Sequence, residues 1–207
     1  MFPSYNNCKI GIIGLGYVGL PLASEFAKKK KCLISENYLE REVLGFDTNS
    51  TRINQLNKSI DITDQISETI LRNLDNLKFT NNSEELIRCE VFIVTVPTPI
   101  TQDKQPDLSP LSNASKILGN ILKKRKLQLP RNNLQKIPVL IFESTVYPGA
   151  TEEICIPIIE KFSGLKLNHL NPLEGFVVGY SPERINPGDK DHTLTSIVKV
   201  TSGSNNE

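Results

Sequence analysis

One stretch near the start of the chain, Lys9–Gly19, limits the fold more than any other. Its uncharged run Ile10–Ile13 predicts a strand that is buried on both faces. Three glycines with the spacing G-x-G-x-x-G follow, and the apolar positions of Leu20–Ala27 then recur at helical spacing. A strand, a glycine turn and a helix in this order are the context of a dinucleotide-binding site. A turn with a purely structural role is the weaker alternative.

Each glycine of this turn has an expected role. Gly14 allows the tight turn, Gly16 lets the backbone approach a diphosphate, and Gly19 lets the helix pack closely on the strand. The N-terminus of the helix adds unpaired N–H groups and the positive end of a dipole. The predicted cofactor-binding residues of this segment are Gly14, Leu15, Gly16, Tyr17, Val18 and Gly19.

A carboxylate follows the second apolar strand, which we predict at Glu42–Phe46. Asp47 is expected to accept hydrogen bonds from the adenosine ribose and to repel a 2′-phosphate, which favours NAD over NADP. Its distance from the glycines exceeds the usual ~20 residues, and we attribute the excess to a polar inserted loop at Cys32–Glu42. The alternative for Asp47 is a helix N-cap or turn residue. Arg52 is predicted either to lie over the adenosine side of the cofactor or to be a solvated surface arginine.

Polar residues also follow two later strands, predicted at Val91–Val96 and Pro138–Phe142. Ligands bind at the carboxyl ends of strands in open α/β sheets. We therefore expect the loops after these strands to border the cofactor, although a Ser/Thr N-cap for the next helix is an alternative for the second loop. The candidate residues are Val96, Pro97, Thr98, Ser144 and Thr145.

The alternation of apolar strands with helical patterns predicts an α/β fold, a Rossmann-like doubly wound parallel sheet in one domain spanning residues 1–207. A last strand is predicted at Ile197–Val200. Further helices are predicted at Asn49–Lys58, Asp64–Leu74, Leu111–Lys124 and Ala150–Phe162, and one more is predicted to begin at Ser83.

Composition excludes several classes of protein. A net charge of +1 gives no reason to expect nucleic acid or an anionic membrane as a partner. The four cysteines have no metal-ligand spacing, so we expect reduced thiols, no metal, and a cytoplasmic protein. No stretch reaches membrane-spanning length. The lysine-rich runs at 28–31 and 123–126 are interpreted as C-terminal ends of helices.

A series of motifs along the chain resembles the UDP-glucose/GDP-mannose dehydrogenase family. The motifs are Gly14–Ala23, Gly45–Asp47, Val96–Pro99, Gln105–Leu108, Glu143–Gly149 and Tyr180–Lys190. The resemblance implies oxidation of a nucleotide sugar's C6 alcohol to a carboxylate by two NAD⁺, through an aldehyde and a cysteine thioester. It implies catalytic roles for Thr145 and Glu183, and contact with the UDP-sugar substrate for Glu183, Arg184, Ile185 and Asn186.

The chain departs from the family pattern at two points. Pro187 stands where the UDP-glucose branch has a second glutamate, which favours the branch that acts on UDP-N-acetylhexosamines in capsule and O-antigen synthesis. The family's Cys-Pro-Lys-Asp segment, its central dimerisation helix and its sugar-nucleotide domain do not occur in the chain. We therefore expect the N-terminal part of a longer, homodimeric enzyme, and a fragment that binds NAD without turnover.

Two other functions remain open. A hydroxyacid or hydroxyacyl dehydrogenase would share the first fingerprint, but it would need a catalytic lysine or histidine on a following helical domain. His169 and His192 lie in polar stretches and are expected to be solvated. A noncatalytic NAD-binding regulatory module is the alternative from another class.

Overall fold

A computed structural model describes residues 1–32, 35–130, 136–182 and 198–205. The strands are β1 (Lys9–Ile13), β2 (Glu42–Phe46), β3 (Leu77–Thr80), β4 (Val91–Val94), β5 (Val139–Phe142), β6 (Lys166–Leu167), β7 (Gly175–Tyr180) and β8 (Ser202–Gly203). The α-helices are α1 (Gly19–Lys28), α2 (Ser50–Leu56), α3 (Glu68–Arg72), α4 (Ser109–Gln128) and α5 (Ile156–Ser163). A 3₁₀ helix covers Ser83–Arg88, and a π-helical turn at Thr151–Cys155 precedes α5.

The strands form one sheet in the order β3-β2-β1-β4-β5-β7-β6, and all of these pairs are parallel. β1 pairs with β2 on one side and with β4 on the other. The chain thus winds outward from β1 in one direction, crosses back, and winds outward from β4 in the other. This reversal between β1 and β4 is the switch point at which open α/β sheets bind ligands. The predicted doubly wound fold is confirmed.

Helices cover both faces of the sheet, because successive strand residues point to opposite sides. In β4, Phe92 and Val94 pack in the cluster that contains Leu118 of α4 and Ile159 of α5. Ile93 packs in the other cluster, with Leu20 of α1. The central strands have nearly continuous apolar sequences because both of their faces are buried.

Local capping shifts the ends of several predicted helices. Asn49 caps α2, since its side chain accepts hydrogen bonds from the N–H groups of Thr51 and Arg52. The prediction of a helix over Asp64–Leu74 is largely wrong, because only Glu68–Arg72 is helical. Carboxylate oxygens of Asp61 accept the N–H groups of Gln65 and Ile66, which hold this segment as a loop.

The carboxyl-terminal part of the sheet also differs from the prediction. Residues 198–200 form no strand, and Ile197 lies outside the described residues. The strand that does form is β8, which pairs antiparallel with the end of β7. The sheet is therefore not entirely parallel. β8 is only two residues long, which is too short to show the alternation of apolar and polar residues that would predict a strand from the sequence.

Candidate functional site

A cleft of about 340 Å³ opens at the switch point of the sheet, and we call it the switch-point cleft. Its walls are the carboxyl ends of β1 and β2, the loop after β4, and the first turns of α4. It is lined by Ile13, Gly14, Phe46, Asp47, Thr48, Val96, Pro97, Ser109, Pro110, Asn113, Ala114 and Ile117. The predicted residues Gly14, Asp47, Val96 and Pro97 are thus brought together here, although they come from three separate segments of the chain.

The glycine turn lies at one end of this cleft, and its geometry explains each glycine. Gly14 has a φ of +97°, which a residue with a side chain rarely adopts. A Cβ on Gly19 would lie 1.8 Å from the carbonyl oxygen of Gly14, so only glycine permits this approach of helix and strand. A Cβ on Gly16 would have no neighbour within 4 Å. The space beside Gly16 is therefore open to a ligand.

Helix α1 begins at Gly19, and its N-cap residue Val18 has no side chain that could cap it. Tyr17 is exposed in the turn just before it. The first N–H groups of a helix have no intrahelical partner. Together with the dipole, they make this end of α1 suitable for a diphosphate.

Asp47 ties the end of β2 to the glycine turn. Its Oδ2 accepts a hydrogen bond from the Leu15 N–H at 2.8 Å, and its Oδ1 accepts one from the Asn49 N–H at 2.9 Å. The helix N-cap alternative for Asp47 is wrong, because Asn49 caps α2. The carboxylate nevertheless stabilises the turn that follows β2, through its bond to the Asn49 N–H, and it also forms part of the cleft wall. Each carboxylate oxygen has further lone pairs, so hydroxyl groups can also donate to it.

Arg52 lies beneath the glycine turn and is buried, with 6% of its surface exposed. Its Nε donates to the Leu15 carbonyl at 2.9 Å, and its Nη1 lies 2.8 Å from Oδ1 of Asp61. The alternative of a solvated surface arginine is therefore wrong. A direct contact between Arg52 and the cofactor stays a prediction.

The loops after β4 and β5 are bound to each other. The Ser144 hydroxyl donates to the Val96 carbonyl at 2.7 Å, and the Thr98 hydroxyl donates to the Thr145 carbonyl at 2.6 Å. Ser144 is buried whereas Thr145 is exposed, so Thr145 alone of this pair is accessible at the edge of the sheet. The N-cap alternative is wrong for both, since the helical segment begins only at Thr151.

A partly buried ion pair lies next to these loops. The carboxylate of Glu143, at the carboxyl end of β5, contacts the Nζ of Lys199. This contact links the segment before β8 to the edge of the sheet that carries the candidate residues. Glu183, Arg184, Ile185 and Asn186 lie outside the described residues, and their roles stay predictions.

Sequence reasoning missed two supporting residues. The Thr95 hydroxyl lies 2.8 Å from the Gly14 carbonyl, and it is the one hydroxyl at the end of an otherwise apolar strand pattern. Asp61 pairs with Arg52, but no local pattern indicated this contact. A polar residue that ends a buried strand was a usable signal for Thr95, whereas Asp61 had none.

Other candidate chemistry is limited within the described ranges. No group of three side chains there could hold a metal ion, and none of the helices described is long and apolar enough to cross a membrane. His169 is exposed and lies 3.3 Å from a carboxylate oxygen of Glu174. His192 lies outside the described residues.

Residues 8–207 match the NAD binding domain of the UDP-glucose/GDP-mannose dehydrogenase family. The chain belongs to this family. Its NAD-binding domain is 51% identical over 199 residues to the UDP-N-acetyl-D-glucosamine 6-dehydrogenase of Pseudomonas aeruginosa, covering 96% of this chain and 40% of that protein. It is 43% identical to Protein CapL of Staphylococcus aureus, covering 95% of this chain and 40% of that protein.

Solved structures agree with this assignment. A ternary complex of GDP-mannose dehydrogenase from Pseudomonas aeruginosa is 25% identical with a TM-score of 0.69, over 86% of this chain and 36% of that one. An NDP-N-acetyl-D-galactosaminuronic acid dehydrogenase from Methanosarcina mazei Go1 has a TM-score of 0.74 over 96% of this chain and 39% of that one. At 24% identity, the second shows the fold alone. The NAD-binding domain thus spans about two fifths of its relatives' length.

The cleft of the NAD-binding domain has groups that fit the diphosphate and the adenosine of NAD. The open space at Gly16 and the start of α1 would hold the diphosphate. Asp47 would accept hydrogen bonds from the adenosine ribose, and apolar side chains such as Ile117 would face the adenine ring. NAD supplies the hydride acceptor when it is bound. The protein's own contribution is to hold and orient it.

Three cysteines of the NAD-binding domain, Cys8, Cys89 and Cys155, are poor nucleophiles. Burial raises the pKa of the Cys89 thiol to about 12 and that of the Cys155 thiol to about 11. Burial also raises the pKa of Cys8. Cys32 is half-buried and follows the lysines after α1, at the opposite edge of the sheet from the cleft. The thiolate is the reactive form of cysteine, and burial disfavours it at Cys8, Cys89 and Cys155.

Proposed function

We propose that this chain is the N-terminal domain of an NAD-dependent UDP-N-acetylhexosamine 6-dehydrogenase that acts in bacterial surface polysaccharide synthesis. The observation that carries the proposal is the 51% identity, over nearly the whole chain, to a relative that is named as acting on UDP-N-acetyl-D-glucosamine. The match to Protein CapL supports a role in capsule formation through its name alone.

The proposed reaction converts the C6 alcohol of the sugar to a carboxylate. Two hydrides leave C6 in turn, each to one NAD⁺, and one water supplies the second oxygen. The products are the uronate, two NADH and three protons. The chain's part is to fix the acceptor near C6, because correct placement of two reactants removes much of the entropic barrier.

In this scheme the rigid edge of the sheet orients the reacting end of the cofactor. The hydrogen bonds between the loops at 96–98 and 144–145 hold the exposed Thr145 in place. Thr145 is proposed to position the nicotinamide or the attacking water, and Glu183 to contact the reacting end. The nucleophilic cysteine is proposed to come from the part of the enzyme beyond this domain, which the buried, high-pKa cysteines support.

Two measurements test the proposal in sequence. Titration calorimetry of this chain with NAD⁺ is expected to give saturable binding at one site, with much weaker binding of NADP⁺. The full-length polypeptide is then supplied with UDP-N-acetylglucosamine and NAD⁺, and NADH is followed by absorbance. Two NADH per sugar are expected, and UDP-glucose serves as the comparison.

The possible results separate the functions that were considered. NAD binding with no oxidation of any UDP-sugar would favour a regulatory module and refute the dehydrogenase proposal. Oxidation of UDP-glucose in preference to the N-acetylated sugars would refute the substrate assignment alone. Loss of N-acetylated hexuronic acid from the cell-surface polysaccharide on deletion of the gene would support the proposed role in surface polysaccharide synthesis.

A further inference from the structure

The residue Leu15 in the glycine turn is held from both sides. Its N–H donates to Oδ2 of Asp47 at 2.8 Å, and its carbonyl accepts from Nε of Arg52 at 2.9 Å. Leu15 itself is fully buried. The peptide groups before and after Leu15 are therefore fixed, and the second of these carries the N–H of Gly16.

The guanidinium of Arg52 is in turn fixed by the loop that follows α2. Its Nη1 lies 2.8 Å from Oδ1 of Asp61, and its Nη2 lies 3.4 Å from the Thr63 hydroxyl. The Arg52 and Asp61 side chains are 7% and 1% exposed, so water barely screens this pair. An arginine with two hydrogen bonds and a buried ion pair cannot easily take another orientation.

Asp61 is the centre of this network. Its Oδ1 also accepts the N–H and the hydroxyl of Thr63, at 3.0 and 2.7 Å. Its Oδ2 accepts the N–H groups of Gln65 and Ile66, at 2.9 and 3.0 Å. Burial opposes ionisation of this carboxyl, but these hydrogen bonds and Arg52 together lower its pKa, so it is a carboxylate at neutral pH.

We propose that Asp61 is a positioning residue for the cofactor, which holds Arg52 so that Arg52 holds the Leu15 carbonyl and the glycine turn keeps its diphosphate-binding shape. The inference rests on the NAD site described above. Asp61 need not touch NAD for this effect. Its contribution is transmitted through Arg52, which lies between Asp61 and the turn.

The first test replaces the carboxylate with an amide of the same shape, Asp61→Asn. The variant leaves the positive charge of Arg52 without its partner, and we expect the Kd for NAD⁺ to rise by about tenfold. Coupled residues in one network interact by amounts equivalent to about 2- to 150-fold. The matched control is Asp64→Asn, three residues along the same loop. Asp64 is exposed and has a φ of 53°, a conformation that asparagine tolerates. The Kd of the Asp64→Asn variant for NAD⁺ should therefore equal that of the wild type.

A double-mutant cycle separates positioning from general loss of stability. If Asp61 acts through Arg52, then Arg52→Gln and Asp61→Asn together should raise the Kd no more than Arg52→Gln alone. Independent effects on the Kd, which multiply in the double variant, would overturn the proposal. So would an Asp61→Asn variant that has a lower melting temperature but binds NAD⁺ with the wild-type Kd.

A milder variant covers the case in which Asp61→Asn does not fold. Arg52→Lys keeps a positive charge beside Asp61, but lysine has one nitrogen where the guanidinium presents separate nitrogens to Asp61 and to the Leu15 carbonyl. We expect a folded protein with a raised Kd for NAD⁺, and an unchanged Kd would overturn the proposal. If the wild-type chain itself binds no NAD⁺, the proposed function fails, which is distinguishable from a failure confined to the variants.

Discussion

Substitution of two glycines in the same turn should separate cofactor binding from folding. In Gly16→Ala, the added Cβ meets no atom within 4 Å, and the residue does not have a positive φ. In Gly19→Ala, the Cβ would lie 1.8 Å from the Gly14 carbonyl oxygen and 2.5 Å from the Thr95 hydroxyl. The first contact is with backbone, which cannot rotate away. The two variants add the same methyl group, once into open space and once against the backbone.

The expected magnitudes differ accordingly. Gly16→Ala should leave the free energy of unfolding unchanged or raise it by about 0.4–1 kcal/mol, because alanine restricts the unfolded chain. In the complex its methyl group occupies the side that a diphosphate approaches. A clash in a packed site costs about 1–3 kcal/mol, which corresponds to an increase of about 5- to 150-fold in Kd. Gly19→Ala should destabilise the fold by more than about 3 kcal/mol, because the backbone of the turn must move.

The assays are urea unfolding and binding of NADH followed by its own fluorescence, which is favoured by the absence of tryptophan from the chain. Gly164→Ala is a control for stability alone, since Gly164 has a φ of +71° at the end of α5, far from the cleft. It should cost about 1–2 kcal/mol of stability and leave the Kd unchanged. A Gly16→Ala variant with the wild-type Kd would refute the placement of the diphosphate at this turn.

Three further predictions concern single side chains. Asp47→Ser should raise the Kd for NAD⁺ by about 10- to 150-fold, through loss of charged hydrogen bonds. The ratio of the Kd for NADP⁺ to the Kd for NAD⁺ should also fall. An unchanged ratio would contradict the proposed contact between Asp47 and the adenosine ribose. Iodoacetamide at neutral pH should label Cys32 long before Cys89 and Cys155, because burial raises their pKa to about 12 and 11; labelling of all three at one rate, measured by mass spectrometry, would contradict this. The pKa of Asp61 is lowered from 3.8 in the folded state, so its stabilising effect is complete above about pH 4 and is lost as pH falls through the folded value. When the free energy of unfolding is measured against pH, the Asp61→Asn variant should lack the loss of stability that protonation of Asp61 causes in the wild type.

Buried arginines show where sequence patterns mislead. The run at 123–126 was expected to be a cationic helix end, and α4 does end at Gln128. Arg125 is nevertheless buried, and its Nη1 donates to the carbonyls of Ile87 and Cys89. It follows Leu118 and Leu122 at helical spacing, so it lies on the inward face. The sequence spacing indicates that Arg125 lies on the inward face of α4. The two carbonyl groups that Arg125 contacts come from a distant segment, which the spacing does not indicate.

The ends of helices show the opposite case, in which a local residue was sufficient. Asn49 caps the start of α2 with its side-chain oxygen, and Gly164 caps the end of α5 with a positive φ. Both requirements concern only the neighbouring residues of the chain. The helix predicted at Asp64–Leu74 failed because Asp61 offers the backbone a stronger set of acceptors than the helix would.

Local sequence patterns were enough to predict the glycine turn, the central strands and the carboxylate at the end of β2. These follow from local backbone requirements and from hydrophobic periodicity, which are properties of neighbouring residues. The folded chain was needed to show that Arg52 lies beneath the turn, that Asp61 contacts it, and that hydrogen bonds join the loops after β4 and β5. Hydrogen bonds between segments far apart in the chain depend on how the sheet assembles, and no spacing in the sequence records their partners.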